Sequence, residues 1–444
     1  MKIFIPDYAQ KALSLLHAQG FKAYIVGGCV RDAVLGKAPN DYDICTDCTP
    51  DVMKKVFSGF TTIETGIKHG TLTVLIDHQP LEITTFRSDG TYTDHRKPDS
   101  VKFEKELSED LKRRDFTVNA LCCNEAEGVV DMFGGLDDIK NKVIKCVGKP
   151  QERFDEDALR ILRALRFSSV LDFEIEANTS QAVHQQKELL KAISAERIAA
   201  ELKKLLCGRD PARILTEYRD VFAVIIPQLA PCFDFAQNNP HHCYDVYTHI
   251  CKSVNNIEPD WVLRLAMLLH DIGKPLVHTV DENGIDHFKT HPLRSAEIAR
   301  EVTGALKLDN KSRSRIYSLV LEHDNRIPAK KRSVRRFLSK YDEAFFADYI
   351  KVRRADTLAQ SGYFRKEKLE ELDELEKIAK QICDEALCLH ICDLAVNGND
   401  LKELGLSNRQ IGEGLKLLLD AVIEEKTANE KDSLLDYLKE SLNE

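Results

Sequence analysis

The stretch Tyr24-Ile-Val-Gly-Gly-Cys-Val-Arg31-Asp32, with Asn40-Asp41-Tyr42-Asp43-Ile44 close behind it, decides how the N-terminal part of this chain folds. Ala23 to Val26 are apolar and read as a buried strand. Gly27-Gly28 lets the backbone approach a ligand closely, and Cys29 to Leu35 can open a helix whose first N–H groups face an anion. That is the layout of a phosphate cradle. In Asp41-Tyr42-Asp43 a strand period of two puts both carboxylates on one face and the tyrosine on the other, the spacing needed to share divalent cations. Taken alone, such a pair is most often two solvated loop acids. Beside a Gly-Gly strand-to-helix turn and an Arg-Asp pair, it points to two-metal phosphoryl chemistry.

Working outward, residues 6 to 19 carry apolar positions at helical spacing. Residues 21 to about 148 mix short strands (Ala23 to Val26, Thr71 to Ile76, Leu81 to Phe86) with turn signals. From Glu152 onward strand signals nearly vanish and helical spacing persists. The expected class is α+β, a small mixed α/β head followed by an all-α remainder. Candidate boundaries at Gly148-Lys-Pro150, Pro231 to Pro240 and Ser361-Gly362 divide the chain into 1–148, 149–233, 234–360 and 361–444. With 444 residues and 43% hydrophobic content, several cores are affordable. No run is long and apolar enough to span a bilayer, and Met1-Lys-Ile-Phe-Ile-Pro-Asp7 lacks the layout of a secretory signal, so no membrane role and a cytoplasmic location are expected. Thirteen scattered cysteines fit a reducing compartment, and Cys45-x-x-Cys48 lacks the second pair a structural zinc would need.

A net charge of −9 is uncomfortable for a nucleic-acid binder. The acidic residues crowd into 366–376 and the C-terminus, while Lys330-Lys-Arg-Ser-Val-Arg-Arg336 stays basic. That basic run reads equally well as an RNA contact or as a solvated helix face. Around Arg153 to Phe167, Ala158, Ile161, Leu162 and Leu165 fall at i, i+3, i+4 and i+7 and bury one face of a helix. Asp157 and Arg160 are then i, i+3 neighbours on the other face, followed by Arg163 and Arg166. A carboxylate accepts from an exocyclic amine and a guanidinium donates to a ring nitrogen or carbonyl, so such a pair can read a base edge. The bland alternative is an ordinary intrahelical ion pair.

The Gly-Gly turn, the Asp-x-Asp pair, Arg113-Arg114-Asp-Phe-Thr-Val-Asn119 and Glu156-Asp157-x-x-Arg160 together resemble the class II tRNA nucleotidyltransferases. That group holds the CCA-adding enzymes and the bacterial poly(A) polymerases, and the CCA-adding branch is the closer likeness. The resemblance implies a polymerase-beta-like head followed by an elongated helical neck, body and tail. It implies that Asp41 and Asp43 hold magnesium, that Gly28 and Arg31 contact the nucleotide, and that Arg114, Arg163 and Arg166 lie near it. Glu156, Asp157 and Arg160 would form the protein template that selects CTP and ATP. Asp131-Met-Phe-Gly-Gly-Leu-Asp-Asp-Ile139 resembles the family's hinge and Glu196-Arg197-Ile-Ala-Ala-Glu201 its neck motif. Glu82 is either a third carboxylate or a satisfied strand residue. Ser88 to Pro98 reads as a mobile polar loop, similar to one found in members that add the terminal A.

Downstream, His249, His270-Asp271, His291, His323 and Asp356 occur in an order that resembles the HD phosphohydrolases. The resemblance implies a divalent metal on His249, His270, Asp271 and Asp356, with His291 and His323 available for a second. Imidazole ligands suit Mn, Ni, Co or Zn. The expected activity is template-independent addition of C, C and A to the 3′ end of tRNA from CTP and ATP, with no DNA partner. Two alternatives stand beside it, a poly(A) polymerase and an HD phosphohydrolase whose head only binds nucleotide or RNA.

Overall fold

The computed structural model describes residues 3–90, 100–385 and 387–443. The loop expected at Ser88 to Pro98 therefore lies outside the described residues from Thr91 onward. The chain divides into two compact units, Met1–Ala230 with Gly304–Leu308, and Pro231–Thr303 with Asp309–Glu444.

The strands of the first unit's head are β1 (Ala23–Val26), β2 (Asp43–Thr46), β3 (Thr61–Ile63), β4 (Thr71–Ile76), β5 (Gln79–Thr85), β6 (Arg87–Asp89), β7 (Val101–Phe103), β8 (Leu121–Asn124) and β9 (Gly128–Asp131). Seven of them form one mixed sheet in the order β3-β4-β5-β2-β1-β8-β9, and β6 pairs with β7. The strands at 23–26 and 71–76 match their expected bounds, and the one expected at 81–86 runs from Gln79 to Thr85. The register places Asp43 opposite Val26 on one side and Glu82 on the other. The metal-type carboxylate thus sits where β1 ends at the glycine turn. One face of the sheet is closed by Tyr24, Val26, Cys45, Phe86, Leu107, Leu111 and Cys122. Burial of this continuous apolar face stabilises the head, at roughly 25 cal/mol per Å² removed from water.

The helices of the first unit are α1 (Asp7–Ala18), α2 (Gly28–Val34), α3 (Pro50–Val56), α4 (Leu107–Lys112), α5 (Gly135–Lys140), α6 (Pro150–Glu156), α7 (Leu159–Leu171), α8 (Ala177–Gln186), α9 (Ala195–Leu206), α10 (Pro211–Glu217) and α11 (Arg219–Ile225). Those of the second unit are α12 (Val246–Asn255), α13 (Trp261–Leu269), α14 (His291–Ala305, whose last two residues belong to the first unit), α15 (Asn310–Glu322), α16 (Lys331–Lys340), α17 (Glu343–Ala359), α18 (Arg365–Asp384), α19 (Gly398–Glu403), α20 (Asn408–Ile423) and α21 (Lys431–Asn443).

Two local expectations change. Strand β2 begins at Asp43, so Asp41 and Tyr42 lie in the approach to it, although Tyr42 is buried and both aspartates are exposed as alternation requires. The helix expected across Arg153 to Phe167 breaks at Asp157, whose backbone is extended (φ −138°, ψ 101°). Its side chain accepts the Leu159 N–H at 3.1 Å, a local bond that competes with helix continuation. In the supposed hinge, Asp131 accepts from the N–H groups of Phe133, Gly135 and Leu136, and Gly134 is left-handed (φ +78°). The glycines there form a tight turn, and the likeness of this segment to the family's hinge is unaffected. In the second unit the basic run is tied down on α16: Lys331 pairs with Glu385, Arg332 and Arg336 with Glu424, and Arg335 donates to the carbonyls of Val422 and Cys388. Arg332 and Arg336 nevertheless stay more than half exposed, so both readings stand.

Candidate active site and metal centre

Gly27 is the point where the cradle depends on glycine. Its φ of +88° disfavours any side chain, and a Cβ there would come within 3.1 Å of the Arg114 guanidinium. Arg114 consequently lies against the turn that carries Gly28. Its Nη2 is 3.4 Å from Asp110, a fully buried carboxylate that also accepts from Arg113 at 2.7 Å. Beyond the turn, Arg31 is 8% exposed and pairs with Asp32 at 2.8 Å. The protein packed around Asp43, and next the like charges of Glu82 and Asp41, push its carboxyl up to about 6 against the pull of Arg114. Like charges acting on Asp43 beside an arginine suit a divalent cation, which would relieve the repulsion.

Arg160, Arg163 and Arg166 all project from α7. Arg160 is held by Glu156 at 2.6 Å and donates to the carbonyls of Arg153 and Arg113 at 3.1 and 2.8 Å. Asp157 does not pair with Arg160; it accepts from Arg197 of α9 at 2.9 Å. Arg166 meets Glu201 of α9 at 3.1 Å, so residues 196–201 orient both Asp157 and α7. Arg163 donates twice to Asp115, at 2.8 and 2.5 Å. Burial alone would push the Asp115 carboxyl up, but Arg163 and the Asn119 amide hold it at about 2. The structure therefore gathers Arg163 and Arg166 with Arg31 around one ring, and fixes Asp157 and Arg160 separately.

In the second unit, all four residues expected on one metal converge. His249 Nε2 and His270 Nε2 each lie 3.2 Å from Asp271 Oδ2, and Asp356 Oδ1 is 3.0 Å from the first and 3.7 Å from the second. The other oxygen of Asp271 faces His291 at 3.2 Å and His323 at 3.5 Å. Asp271 thus bridges two groups of ligands. Each imidazole turns its Nδ1 to a backbone carbonyl: His249 to Ala359, His270 to Met267, His291 to Phe288 and His323 to Val320, at 3.3, 2.6, 2.8 and 2.6 Å. Those bonds fix the tautomer and leave four Nε2 atoms pointing at the carboxylates, the arrangement that metal-binding histidines require. Burial works against charge on His270, yet Asp271 and Asp356 push it up to about 10; the same partners raise His249. The cluster floors a cavity of about 280 Å³ also lined by Lys274, Arg326, Gln360 and Lys368.

Comparison with known proteins matches three separate stretches of the chain. Residues 23–145 match the poly A polymerase head domain, 172–233 a probable RNA-binding region of polymerase A, and 241–394 the HD domain. A CCA-adding enzyme of Ligilactobacillus salivarius is 42% identical over 311 residues, which are 64% of this chain and 76% of the relative. The chain belongs to the CCA-adding enzyme family. A second family member, from Levilactobacillus brevis, is 49% identical over 211 residues, 48% of this chain and 53% of its own length. Among solved structures, the Bacillus stearothermophilus CCA-adding enzyme in complex with CTP superposes with a TM-score of 0.72 at 29% identity, covering 99% of this chain and 98% of that one. Membership of the CCA-adding enzymes carries with it dependence on divalent metal.

Several residues of this family member escaped the sequence reading. Asp110, Asp115 and Asn119 sit in or beside the Arg-Arg-Asp motif, but nothing in spacing announces which arginine each will hold. Lys274 follows the His-Asp pair by three residues and lies 2.7 Å from Asp271 and 2.8 Å from Gln237. The Gly273-Lys274-Pro275 signature was its visible trace. Gln360 donates to Asp356 at 2.9 Å, and nothing in the sequence marked it.

Proposed function

We propose that this chain adds C, C and A to the 3′ end of tRNA without a nucleic-acid template, using CTP and ATP and releasing pyrophosphate. The observation that carries this reading is the register that sets Asp43 between the end of β1 and Glu82, with Arg114 against the Gly27 turn, in a chain 42% identical to a CCA-adding enzyme. Asp41 and Asp43 would hold magnesium, whose carboxylate-oxygen preference fits them. Bound there, the ions supply activation of the tRNA 3′-hydroxyl and charge stabilisation on the leaving pyrophosphate. Arg31 and Arg114 neutralise the triphosphate and align its α-phosphorus with the attacking hydroxyl. Gly28 gives the backbone room beside it. Asp157 accepts from the cytosine or adenine amine and Arg160 donates to the neighbouring acceptor, so an exchanged base leaves one of them unpaired. Arg163 and Arg166 stand behind them. The helical segments 149–233 and 361–444 hold the acceptor arm by shape and backbone charge, since duplex RNA hides its base edges.

The His/Asp cluster supports a second reading for 234–360. His249, His270, Asp271 and Asp356 would hold one transition metal, with His291, His323 and the far oxygen of Asp271 offering a second position. Hydrolysis of a phosphomonoester or a 2′,3′-cyclic phosphate is the chemistry such a site suits. It would clear a blocked tRNA end for the head to extend.

The test is to incubate a tRNA lacking its terminus with each labelled nucleotide alone and with CTP plus ATP, then sequence the product ends. CCA ends support the reading. Oligo(A) on any RNA would mark a poly(A) polymerase, and no extension would leave the head as a binding module.

A further inference from the structure

Phe167 has no part in the roles above, yet three guanidinium groups surround its ring. Arg166 lies 4.0 Å from the ring centroid, Arg31 5.0 Å and Arg163 5.4 Å. The ring is 8% exposed and also meets the edge of Phe116, at 5.8 Å and 79°. Three like charges repel one another, and the negative face of an aromatic ring is one of the few uncharged groups that attracts each of them. Two of these arginines belong to α7, the helix that carries Arg160. The third belongs to α2, directly behind the glycine turn.

A second link runs between the same two helices. Arg31 Nη1 donates to Asn119 Oδ1 at 2.5 Å, and Asn119 Nδ2 donates to Asp115 Oδ1 at 3.1 Å. Asp115 Oδ2 then accepts from Arg163. Asn119 is suited to this place because it accepts at one end and donates at the other. A carboxylate there would set oxygen against oxygen.

We propose that Phe167 and Asn119 are positioning residues that lock the triphosphate grip of Arg31 to the base-reading helix α7, so that phosphate and base are recognised by one rigid body. The inference rests on the nucleotide site proposed above. Without the ring, α7 keeps Asp115 and Glu201 as counter-charges for its own arginines, while Arg31 keeps Asp32 and is tied to α7 only through the Asn119 amide. The grip then no longer dictates where Asp157 and Arg160 stand. A wrong base loses less when its readers are loose, so discrimination falls although neither residue touches the base.

The experiment measures kcat and KM for CTP and UTP on a tRNA lacking its CCA end, using the full chain and the variants Phe167→Leu, Phe167→Tyr, Asn119→Ala and Asp157→Ala. Phe167→Leu keeps apolar bulk and removes the π face. It should raise the KM for CTP more than it lowers kcat and reduce CTP-over-UTP discrimination about tenfold, between the worth of an exposed and that of a desolvated cation–π contact. Phe167→Tyr should restore both. Unchanged discrimination in Phe167→Leu, with only a smaller active fraction, overturns the proposal. Should that variant not fold, Asn119→Ala, which leaves the ring in place, decides by the same measure. If Asp157→Ala itself keeps full selectivity, the reading of the nucleotide site fails. If Asp157→Ala loses selectivity while the positioning variant keeps it, this inference alone fails.

Discussion

Replacing Asp115 by Asn removes one negative charge from a site where little water can compensate. The carboxyl is 8% exposed and held at about 2, against an ordinary value of 3.8. A difference of nearly two pKa steps corresponds to about 2 kcal/mol of folded-state stabilisation. The group is depressed, so this contribution is complete above the unfolded value and is lost as pH falls through about 2. At neutral pH the variant should therefore lose all of it. Hydrogen exchange followed peptide by peptide is the suitable assay, because a chain of two compact units need not unfold in one step. Amides of α7 and of the segment 115–124 should exchange about thirtyfold faster, while those of α12 and α13 stay at their original rates. Unchanged protection in α7 would show that the Arg163 pair contributes nothing net and that the charge balance drawn for this site is wrong.

Asp41→Ala or Asp43→Ala should abolish nucleotide addition while tRNA affinity, measured by filter binding, stays within a few-fold, because the carboxylates attract metal and repel phosphate; substantial turnover in either would remove the two-metal assignment. Asp157→Ala and Arg160→Ala should each relax selection among the four nucleotides by about tenfold to a hundredfold, the worth of one polar partner in a buried contact. Because burial and its acidic neighbours push Asp43 up to about 6, protons compete with metal below that pH: the magnesium concentration for half-maximal addition should rise as pH falls from 7 to 5, and a flat profile would argue against Asp43 as a ligand. His270→Ala combined with Asp271→Ala should strip bound transition metal, read by elemental analysis, and leave CCA addition in magnesium intact; equal metal content before and after would mean that the cluster holds no ion.

How much of this was legible depends on the range over which each residue acts. The strand before Gly27, the alternation of exposed Asp41, buried Tyr42 and exposed Asp43, and the helical character beyond residue 150 all follow from neighbours a few positions apart. The His/Asp series was visible as an order along the chain, and the fold supplies the distances. Asp157 was misplaced on a continuous helix because its own side chain caps the next segment, a local bond that periodicity does not register. Its partner Arg197 is 40 residues away and the partner of Arg163 is 48. Such pairings are settled by how helices pack and leave no trace in spacing. The basic run at 330–336 shows the converse, since its counter-charges at Glu385 and Glu424 arrive from distant helices.

The four imidazoles anchored through Nδ1 bear on how the second unit would take up a divalent ion. With every tautomer already set and two histidines drawn toward the protonated form by Asp271 and Asp356, ions and protons are alternative tenants of the same cavity. Loading a divalent cation at neutral pH would expel acid into the medium, and chelation would take it back, with the surrounding helices needing no rearrangement in either direction. Occupancy would then follow both metal supply and acidity as a reversible exchange.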